Sequence, residues 1–168
     1  MHIEEHRRNR NVLAAWAVAV SDGVRAAVEK STQMTGNGPA GLVAVVAEPG
    51  LSIDELRRVL DLTHPGAVRL VDRLVERGWI ERQPGIGRAV RLVPTKSGKA
   101  AERLLAAARD EAIAALLVPM AEKDVQTVAG LVEPALGSIV TDVDEIRRLC
   151  RLCDREACGD CPAEAPNR

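Results

Sequence analysis

Residues 51–98 read LSIDELRRVLDLTHPGAVRLVDRLVERGWIERQPGIGRAVRLVPTKSG. Ser52 stands where a helix N-cap is expected, and Glu55 follows three residues later, which is the spacing of a capping box. This pattern predicts a helix over residues 53–60, whose apolar side chains recur at the spacing of one helical face. A connection of three residues, 61–63, leads into a second amphipathic helix. The stretch therefore opens with two short helices joined by a tight turn.

A predicted hairpin follows the helix pair. Thr63 can cap the second helix, and Gly78 ends it. Two extended runs come next, 79–82 and 88–93, which mix apolar and charged residues as half-buried strands do. The glycine-rich residues 84–87 join the two runs. A short helix pair alone is common, but a helix pair followed by such a hairpin indicates a winged helix-turn-helix.

The flanking sequence is predicted to be helical. A long amphipathic helix spans about residues 5–30, and a short apolar helix spans residues 40–47. After the hairpin, Thr95 can cap another long helix. A last helical region covers about residues 122–153 and is expected to be kinked or interrupted at Pro134. The predicted fold is mainly α with a small β-hairpin wing.

The apolar stripes of the first and last helices are too broad for one small lobe to cover. This indicates a homodimer in which long helices form the interface. The predicted divisions are an N-terminal dimerisation helix with its connector (1–50), a winged helix-turn-helix DNA-binding lobe (51–99), C-terminal dimerisation helices (100–153) and a cysteine-rich metal-binding tail (150–168).

Positive charge is concentrated in the middle of the chain. The whole chain has a net charge of −1, but residues 51–99 carry ten basic and six acidic side chains, a net charge of +4. Residues 1–50 are neutral overall, and residues 100–168 carry a net charge of −5. The middle third is therefore the candidate surface for a polyanion such as double-stranded DNA.

The second helix of the pair has the size and polarity to enter the major groove of DNA, where base edges differ in their donors and acceptors. Arg69 can donate two hydrogen bonds to a guanine edge, and Arg88 can enter a narrow minor groove. The predicted DNA-binding residues are Thr63, His64, Gly66, Arg69, Arg73, Arg82, Arg88, Arg91, Thr95 and Lys96.

The stretch 51–98 resembles the DNA-binding lobe of the multiple-antibiotic-resistance regulator (MarR) family. The segments RLVDRLVERGWIER (69–82) and RLVPTKSG (91–98) carry the resemblance, and the flanking helices agree over about residues 5–150. The resemblance implies a homodimer with intertwined first and last helices that binds pseudo-palindromic sites and usually represses. It also implies release from DNA by a small-molecule effector or by cysteine oxidation. Family wings often carry an aspartate two residues before the wing arginine, where this chain has Ile86.

The four cysteines lie within twelve residues, as Cys150-x2-Cys153-x4-Cys158-x2-Cys161. Two closely spaced C-x-x-C pairs favour a structural zinc site with four thiolate ligands. An iron–sulfur cluster is an alternative, because proline follows the last cysteine as in ferredoxins. A metal-free thiol switch or disulfide is another. The first two cysteines also continue an apolar helical stripe, so helix packing could explain that pair alone.

Other classes of function have little support in the sequence. It has no Ser-His-Asp order, phosphate loop or paired-carboxylate motif, and it contains only three histidines. A winged helix that binds protein instead of DNA remains an alternative, although the basic residues of the recognition helix argue against it. The apolar run 12–20 is far shorter than the roughly 20 residues that span a bilayer. The acidic residues Glu4 and Glu5 are atypical of a signal peptide, so a cytoplasmic protein without a membrane partner is expected.

Overall fold

The computed structural model describes residues 2–85 and 89–158. This part of the chain forms α1 (His2–Thr32), α2 (Gly38–Ala47), α3 (Ile53–Leu60), α4 (His64–Glu76), β1 (Ile80–Pro84), β2 (Val90–Pro94), α5 (Lys96–Leu117), α6 (Glu122–Ser138), α7 (Val143–Leu149) and α8 (Arg155–Cys158). The predicted fold class, mainly α with one small β-hairpin, is confirmed.

Helices α2, α3 and α4 and the hairpin surround one hydrophobic core. We call these elements, residues 38–94, the lobe. Each fully buried leucine or isoleucine side chain of this core contributes about 1.5–3 kcal/mol relative to exposure. The largest buried members are Leu42, Leu56, Leu70, Leu74, Ile80 and Leu92.

Helices α3, α4 and α5 begin where local capping signals predict. The Ser52 hydroxyl accepts from the Glu55 N–H at 3.2 Å, and the Glu55 carboxylate accepts from the Ser52 N–H at 2.7 Å, which completes the capping box. These hydrogen bonds from Ser52 lower the pKa of Glu55. Thr63 caps α4 and Thr95 caps α5, as predicted. The start of each of these helices is therefore encoded locally.

The two strands pair in antiparallel fashion, with Ile80 opposite Pro94 at the base of the hairpin. Both predicted strands are present, with their ends displaced by one or two residues. Leu51 forms an isolated bridge with Leu92, which attaches the start of α3 to the hairpin. Residues 86–88, which include the predicted DNA contact Arg88, lie outside the described residues.

Helices α1 and α5 pack along each other and form an arm outside the lobe. Val24, Val28 and Leu105 are buried between them in a second cluster, which Val43 of α2 joins. The N-terminal half of α1 extends past this cluster, and Leu13 there is 65% exposed. Half of this long helix therefore presents an apolar surface with no covering element in the described chain.

By length and composition alone, α1 could cross a membrane. Residues Glu4–Thr32 contain a window of 18 residues whose mean hydropathy is 1.2. This window is longer than the apolar run 12–20 considered above. This is weak evidence for a membrane span, because Val24 and Val28 of the same helix are buried against α5. A helix that packs within a globular fold has the same composition.

Of the two outcomes predicted at Pro134, a kink or an interruption, the interruption does not occur. Helix α6 runs through Pro134 to Ser138, and the break comes afterwards, in the residues before Asp142 caps α7. Proline removes one N–H, so the carbonyl of Gly130, four residues earlier, loses its helical partner. Both residues are exposed, and water can satisfy that carbonyl. A proline on a solvent-facing helix surface therefore does not end this helix.

Helix α7 lies against α3 of the lobe. The sequence analysis assigned this part of the chain to the C-terminal dimerisation helices, residues 100–153. Helix α6 makes few contacts with the other described elements, whereas the segment after it returns to the lobe. Side-chain ion pairs between distant residues position this return, and helical periodicity does not reveal them.

Candidate nucleic-acid interface

Helix α4 is held in the lobe by one face and leaves the opposite face exposed. Its buried residues are Ala67, Leu70, Val71 and Leu74. His64, Arg69 and Arg73 are exposed, and the two arginines are one turn apart on the same side of the helix. We call these three residues the recognition face. The fold presents together the three side chains that the sequence predicted for base and phosphate contact.

The positive charge of the recognition face is not neutralised internally. Within the described part of the chain, neither Arg69 nor Arg73 forms a salt bridge, although other arginines of the lobe do. The guanidinium group of an arginine that has no ion-pair partner in the protein presents five N–H donors in one plane. This arrangement suits a guanine edge or a phosphate. The recognition face can therefore bind a polyanion without first breaking an ion pair.

Arg82 and Arg91, also predicted as DNA contacts, brace the hairpin. The Arg82 guanidinium donates to the Asp72 carboxylate of α4 at 2.6 Å, and Arg91 donates to the Gly50 carbonyl at 2.8 Å. The first contact links β1 to the recognition helix, and the second links β2 to the connector before α3. Asp72 was not identified from the sequence, because nothing local marks it as the partner of Arg82. Both arginines position the hairpin relative to α4.

The predicted DNA contacts at the starts of α4 and α5 are of two kinds. Thr63 and Thr95 cap the helices, whereas Lys96 is exposed. The Thr63 hydroxyl accepts from the Gly66 N–H at 3.3 Å. The Thr95 hydroxyl donates to the Gly78 carbonyl at 2.6 Å, and its N–H donates to the Trp79 carbonyl at 2.9 Å. Both donors of Thr95 are therefore used inside the protein, and its contact with DNA stays a prediction. Lys96, the first residue of α5, is exposed.

Arg77 connects the recognition helix to the arm. Its guanidinium donates to the carbonyls of Thr32 at 2.8 Å and Gln33 at 2.7 Å, at the end of α1. It also lies 5.1 Å from the centre of the Trp79 ring. The sequence analysis did not single out Arg77, because its partners are carbonyl groups 44 and 45 residues away. The contact ties the end of α4 to the end of α1.

The described cysteines lie in three different environments. Cys150 is buried, Cys153 is half-buried and Cys158 is exposed on α8. The Cys153 N–H donates to the Cys150 carbonyl at 3.0 Å, so this C-x-x-C pair forms a closed turn. Cys161, the fourth predicted ligand, lies outside the described residues. Among residues 2–85 and 89–158, no three His, Cys, Asp or Glu side chains are grouped so as to hold a metal ion.

A cleft of about 530 Å³ separates α2 from α5 and is bordered by the turn that contains Cys153. Its wall combines apolar and charged side chains. The lining residues are Val43, Val46, Ala47, Lys99, Glu102, Arg103, Ala106, Cys153 and Asp154. The cleft lies between the arm and the lobe, where movement of one relative to the other would change its shape.

The comparison with known proteins agrees with this architecture. The sequence model of the MarR family matches residues 42–89, which run from within α2 through α3, α4 and β1. No curated protein is similar enough in sequence to match the chain.

Several solved structures share the fold over most of the chain. The YusO protein from Bacillus subtilis has 17% identity and a TM-score of 0.70, over 83% of this chain and 99% of that one. Apo MarR from E. coli has 22% identity and a TM-score of 0.63, over 74% and 96%. A Mycobacterium tuberculosis MarR family protein in complex with salicylic acid has 22% identity and a TM-score of 0.58, over 73% and 91%.

The family match and the fold lead to the same assignment. The matched residues include the whole recognition helix, and the similar structures extend the agreement to the long flanking helices. Members of the family are transcription regulators, not enzymes. Residues 42–89 therefore match the MarR family, and the chain has the fold of the winged-helix structures of that family.

Proposed function

We propose that this regulator is a cytoplasmic homodimer that binds specific DNA sequences and represses transcription. The observation that carries the proposal is the recognition face, where Arg69 and Arg73 are exposed on α4 without an internal ion pair. The hairpin beside it is braced through Asp72 and Arg82. A helix that is fixed in the lobe in this way can enter the major groove of DNA. Its arginines can then contact base edges and phosphates.

Dimerisation is supported by large apolar side chains that the described chain leaves exposed. Leu13 of α1 is 65% exposed, Leu131 of α6 is 74% exposed and Val118 between α5 and α6 is 80% exposed. Large apolar side chains this exposed are candidates for burial against another protein surface. A second copy that covers α1 and α6 would bury these residues. It would also place two recognition helices on one face, as a pseudo-palindromic site requires.

A small-molecule effector has a candidate site in the cleft between α2 and α5. The Mycobacterium tuberculosis relative was crystallised in complex with salicylic acid. We place the effector of this chain in the same general class of small carboxylates. The exposed side chains of Lys99 and Arg103 border the cleft and could pair with a carboxylate, and the acidic Glu102 and Asp154 border it as well. Binding between the arm and the lobe would alter the angle at which the lobe meets DNA.

The C-terminal cysteines are proposed to bind one zinc ion per chain through Cys150, Cys153, Cys158 and Cys161. The closed turn of Cys150 and Cys153 supports the first pair of ligands, and thiolates are ligands that zinc prefers. Binding would draw the second pair onto this turn. An iron–sulfur cluster or a metal-free thiol switch would use the same residues. With either of these two alternatives in place of zinc, the protein would be a redox sensor.

Arg69→Ala is expected to weaken binding to a selected site by about 1–3 kcal/mol and to relax the preference for one base pair, because a bidentate base contact is lost. The measurement is fluorescence anisotropy at fixed salt, with a duplex that the wild-type protein selects from a random library. Arg25→Ala is the matched control, because it removes the same charge from α1, where Arg25 pairs only with Asp22.

Equal affinity of the Arg69→Ala variant and the wild type would exclude the recognition face as the base-reading surface. If the wild-type protein selects no duplex at all and fails to shift random duplex in a gel, the alternative of a protein-binding winged helix replaces the proposal.

Cys158→Ser is expected to lower the metal content of anaerobically purified protein from one ion per chain to well below one, because one of four thiolate ligands is lost. Elemental analysis measures the content. The neighbouring substitution Ala157→Ser is the control, because it adds a hydroxyl without removing a thiol. A colourless protein indicates zinc, and a brown protein indicates an iron–sulfur cluster. Unchanged metal content in Cys158→Ser would contradict the four-cysteine site.

A further inference from the structure

The end of the recognition helix is bonded to the end of the first arm helix. Arg77 follows α4 directly, and its guanidinium donates to the carbonyls of Thr32 at 2.8 Å and Gln33 at 2.7 Å. Thr32 is the last residue of α1, and Gln33 after it has a left-handed backbone with φ of 52°. Carbonyls at the end of a helix lack helical partners and carry partial negative charge, so a cation is a favourable cap there.

The second arm helix meets the lobe at the same place. The Arg77 guanidinium lies 5.1 Å from the centre of the Trp79 ring. The Trp79 carbonyl accepts from the Thr95 N–H at 2.9 Å, immediately before α5 begins. The end of α4 therefore meets the end of α1 and the start of α5 at one point. We call residues 32–33, 77–79 and 95–98 the junction.

The connection from α1 to α2, residues 33–37, is fastened to α1. The Glu29 carboxylate of α1 accepts from the Gly36 N–H at 2.9 Å, and the Thr32 hydroxyl accepts from the Met34 N–H at 3.4 Å. These hydrogen bonds hold the connection to the helix that precedes it. The Arg77 contact is different, because it crosses from the recognition helix to the arm. It restrains rotation of the lobe about the place where α5 rests on Trp79.

The junction and the DNA-reading residues lie at opposite ends of α4. The helix has 13 residues, so His64 at its start is about 20 Å from Arg77. A rotation of about 10° at the junction would move His64 by about 3.5 Å, roughly the rise of one base pair. In a symmetric dimer both recognition helices would move, and their separation would change by up to twice this amount. A small loss of rigidity at the junction is therefore large on the scale of DNA.

We propose that Arg77 is a positioning residue that sets the spacing between the two half-sites that the dimer accepts. The inference rests on the proposed function, a dimer that binds paired half-sites, and it adds a determinant of specificity to that function. A planar guanidinium that donates to two carbonyls fixes orientation as well as distance. Because this group is bound to the end of α1, Arg77 acts through the direction of α4 and not by reading bases.

The test measures affinity as a function of half-site spacing. Duplexes carry two copies of the half-site that the wild-type protein selects, at the selected spacing or with one base pair removed or added. A further duplex carries one half-site. Fluorescence anisotropy at fixed salt measures each affinity. One base pair changes the separation by about 3.4 Å and the rotation by about 35°, so we expect the wild type to prefer the selected spacing by about 5-fold or more.

Arg77→Met is expected to reduce this preference to less than about 2-fold, because it keeps an apolar stem over Trp79 but removes the donors to α1. Its affinity for the duplex with one half-site should stay within about 3-fold of the wild type, because the recognition face is unchanged and only one charge is lost. Arg77→Lys keeps the charge without the planar fork, so its preference should fall between the two.

Arg25→Met is the matched control. Arg25 is exposed on α1 and pairs with Asp22 of the same helix, so the same substitution removes a charge without touching the junction. This variant should keep the wild-type spacing preference. Circular dichroism and light scattering verify that each variant is a folded dimer. If Arg77→Met does not fold, Arg77→Lys decides the outcome.

The possible failures are distinguishable. If the Arg77 variants keep the wild-type preference, or if they lose affinity equally for every duplex including the one with a single half-site, the positioning role is overturned while DNA binding stands. If the wild type binds one half-site as tightly as two at any spacing, paired half-site binding and its control by Arg77 are both overturned. If the wild type binds no duplex, the proposed function is overturned as well.

Discussion

Replacing Gly98 by alanine is expected to destabilise the protein by at least about 3 kcal/mol, the upper end of overpacking effects. Gly98 lies in the first turn of α5, where an added Cβ would be 1.9 Å from the Trp79 carbonyl oxygen and 2.8 Å from its carbonyl carbon. Both atoms are backbone, so no side chain can rotate away. Relief of the clash requires α5 to move from the base of the hairpin and breaks the hydrogen bonds from Thr95 to Gly78 and Trp79.

Gly23→Ala is the matched control for this substitution. Gly23 is inside α1, and an added Cβ would meet only the Leu116 side chain at an ordinary 3.6 Å. Alanine is a better helix former than glycine, so this variant should be more stable than the wild type by about 0.5–1 kcal/mol. Chemical denaturation at one fixed protein concentration measures both effects, because dimerisation makes stability depend on concentration. Wild-type stability of Gly98→Ala would show that α5 does not rest on the Trp79 carbonyl.

Leu131→Glu is expected to convert the dimer into a monomer and to lower DNA affinity at least about 100-fold, because the two half-sites would no longer be bound together. Leu131 is 74% exposed on α6, so the substitution leaves the core of one chain intact. In the proposed dimer the new carboxylate would be buried without a partner, which costs several kcal/mol. Multi-angle light scattering at micromolar concentration measures the mass, and anisotropy measures the affinity.

The control for Leu131→Glu is Gln126→Glu, which adds the same charge to α6 at a position that is already polar and exposed. It should remain a dimer and bind DNA with an affinity within about 3-fold of the wild type, the loss that one surface charge causes by repulsion from phosphate. A dimeric Leu131→Glu variant would place the interface elsewhere. A monomeric wild type with full DNA affinity would contradict the dimer as the DNA-binding form.

Features that depend on a few neighbouring residues could be predicted well. The capping box of Ser52 and Glu55 and the caps Thr63 and Thr95 are side-chain-to-backbone hydrogen bonds spanning three residues, so the sequence pattern contains the whole interaction. The recognition face follows from the same helix, because burial of one stripe of α4 exposes the other. The roles of Arg69 and Arg73 at DNA remain predictions.

Features that depend on distant residues could not be predicted. Asp72 and Arg82 are ten residues apart, Arg77 binds the end of α1 from 44 and 45 residues away, and Arg147 meets Glu48 across 99 residues. The tendency of proline to end helices also led us to expect a kink or an interruption at Pro134, but α6 continues through this residue to Ser138.

The amino-acid sequence was sufficient for the order of the elements, the resemblance to the MarR family and the exposed face of α4, because hydrophobic periodicity and capping are local. Which charged residues are free to bind DNA and which brace the hairpin depended on the folded chain. The docking of the cysteine segment on the lobe depended on it too, since a guanidinium finds its carboxylate only after packing has brought the two together. For that reason the sequence did not reveal that α7 packs on α3 through Arg147 and Asp144.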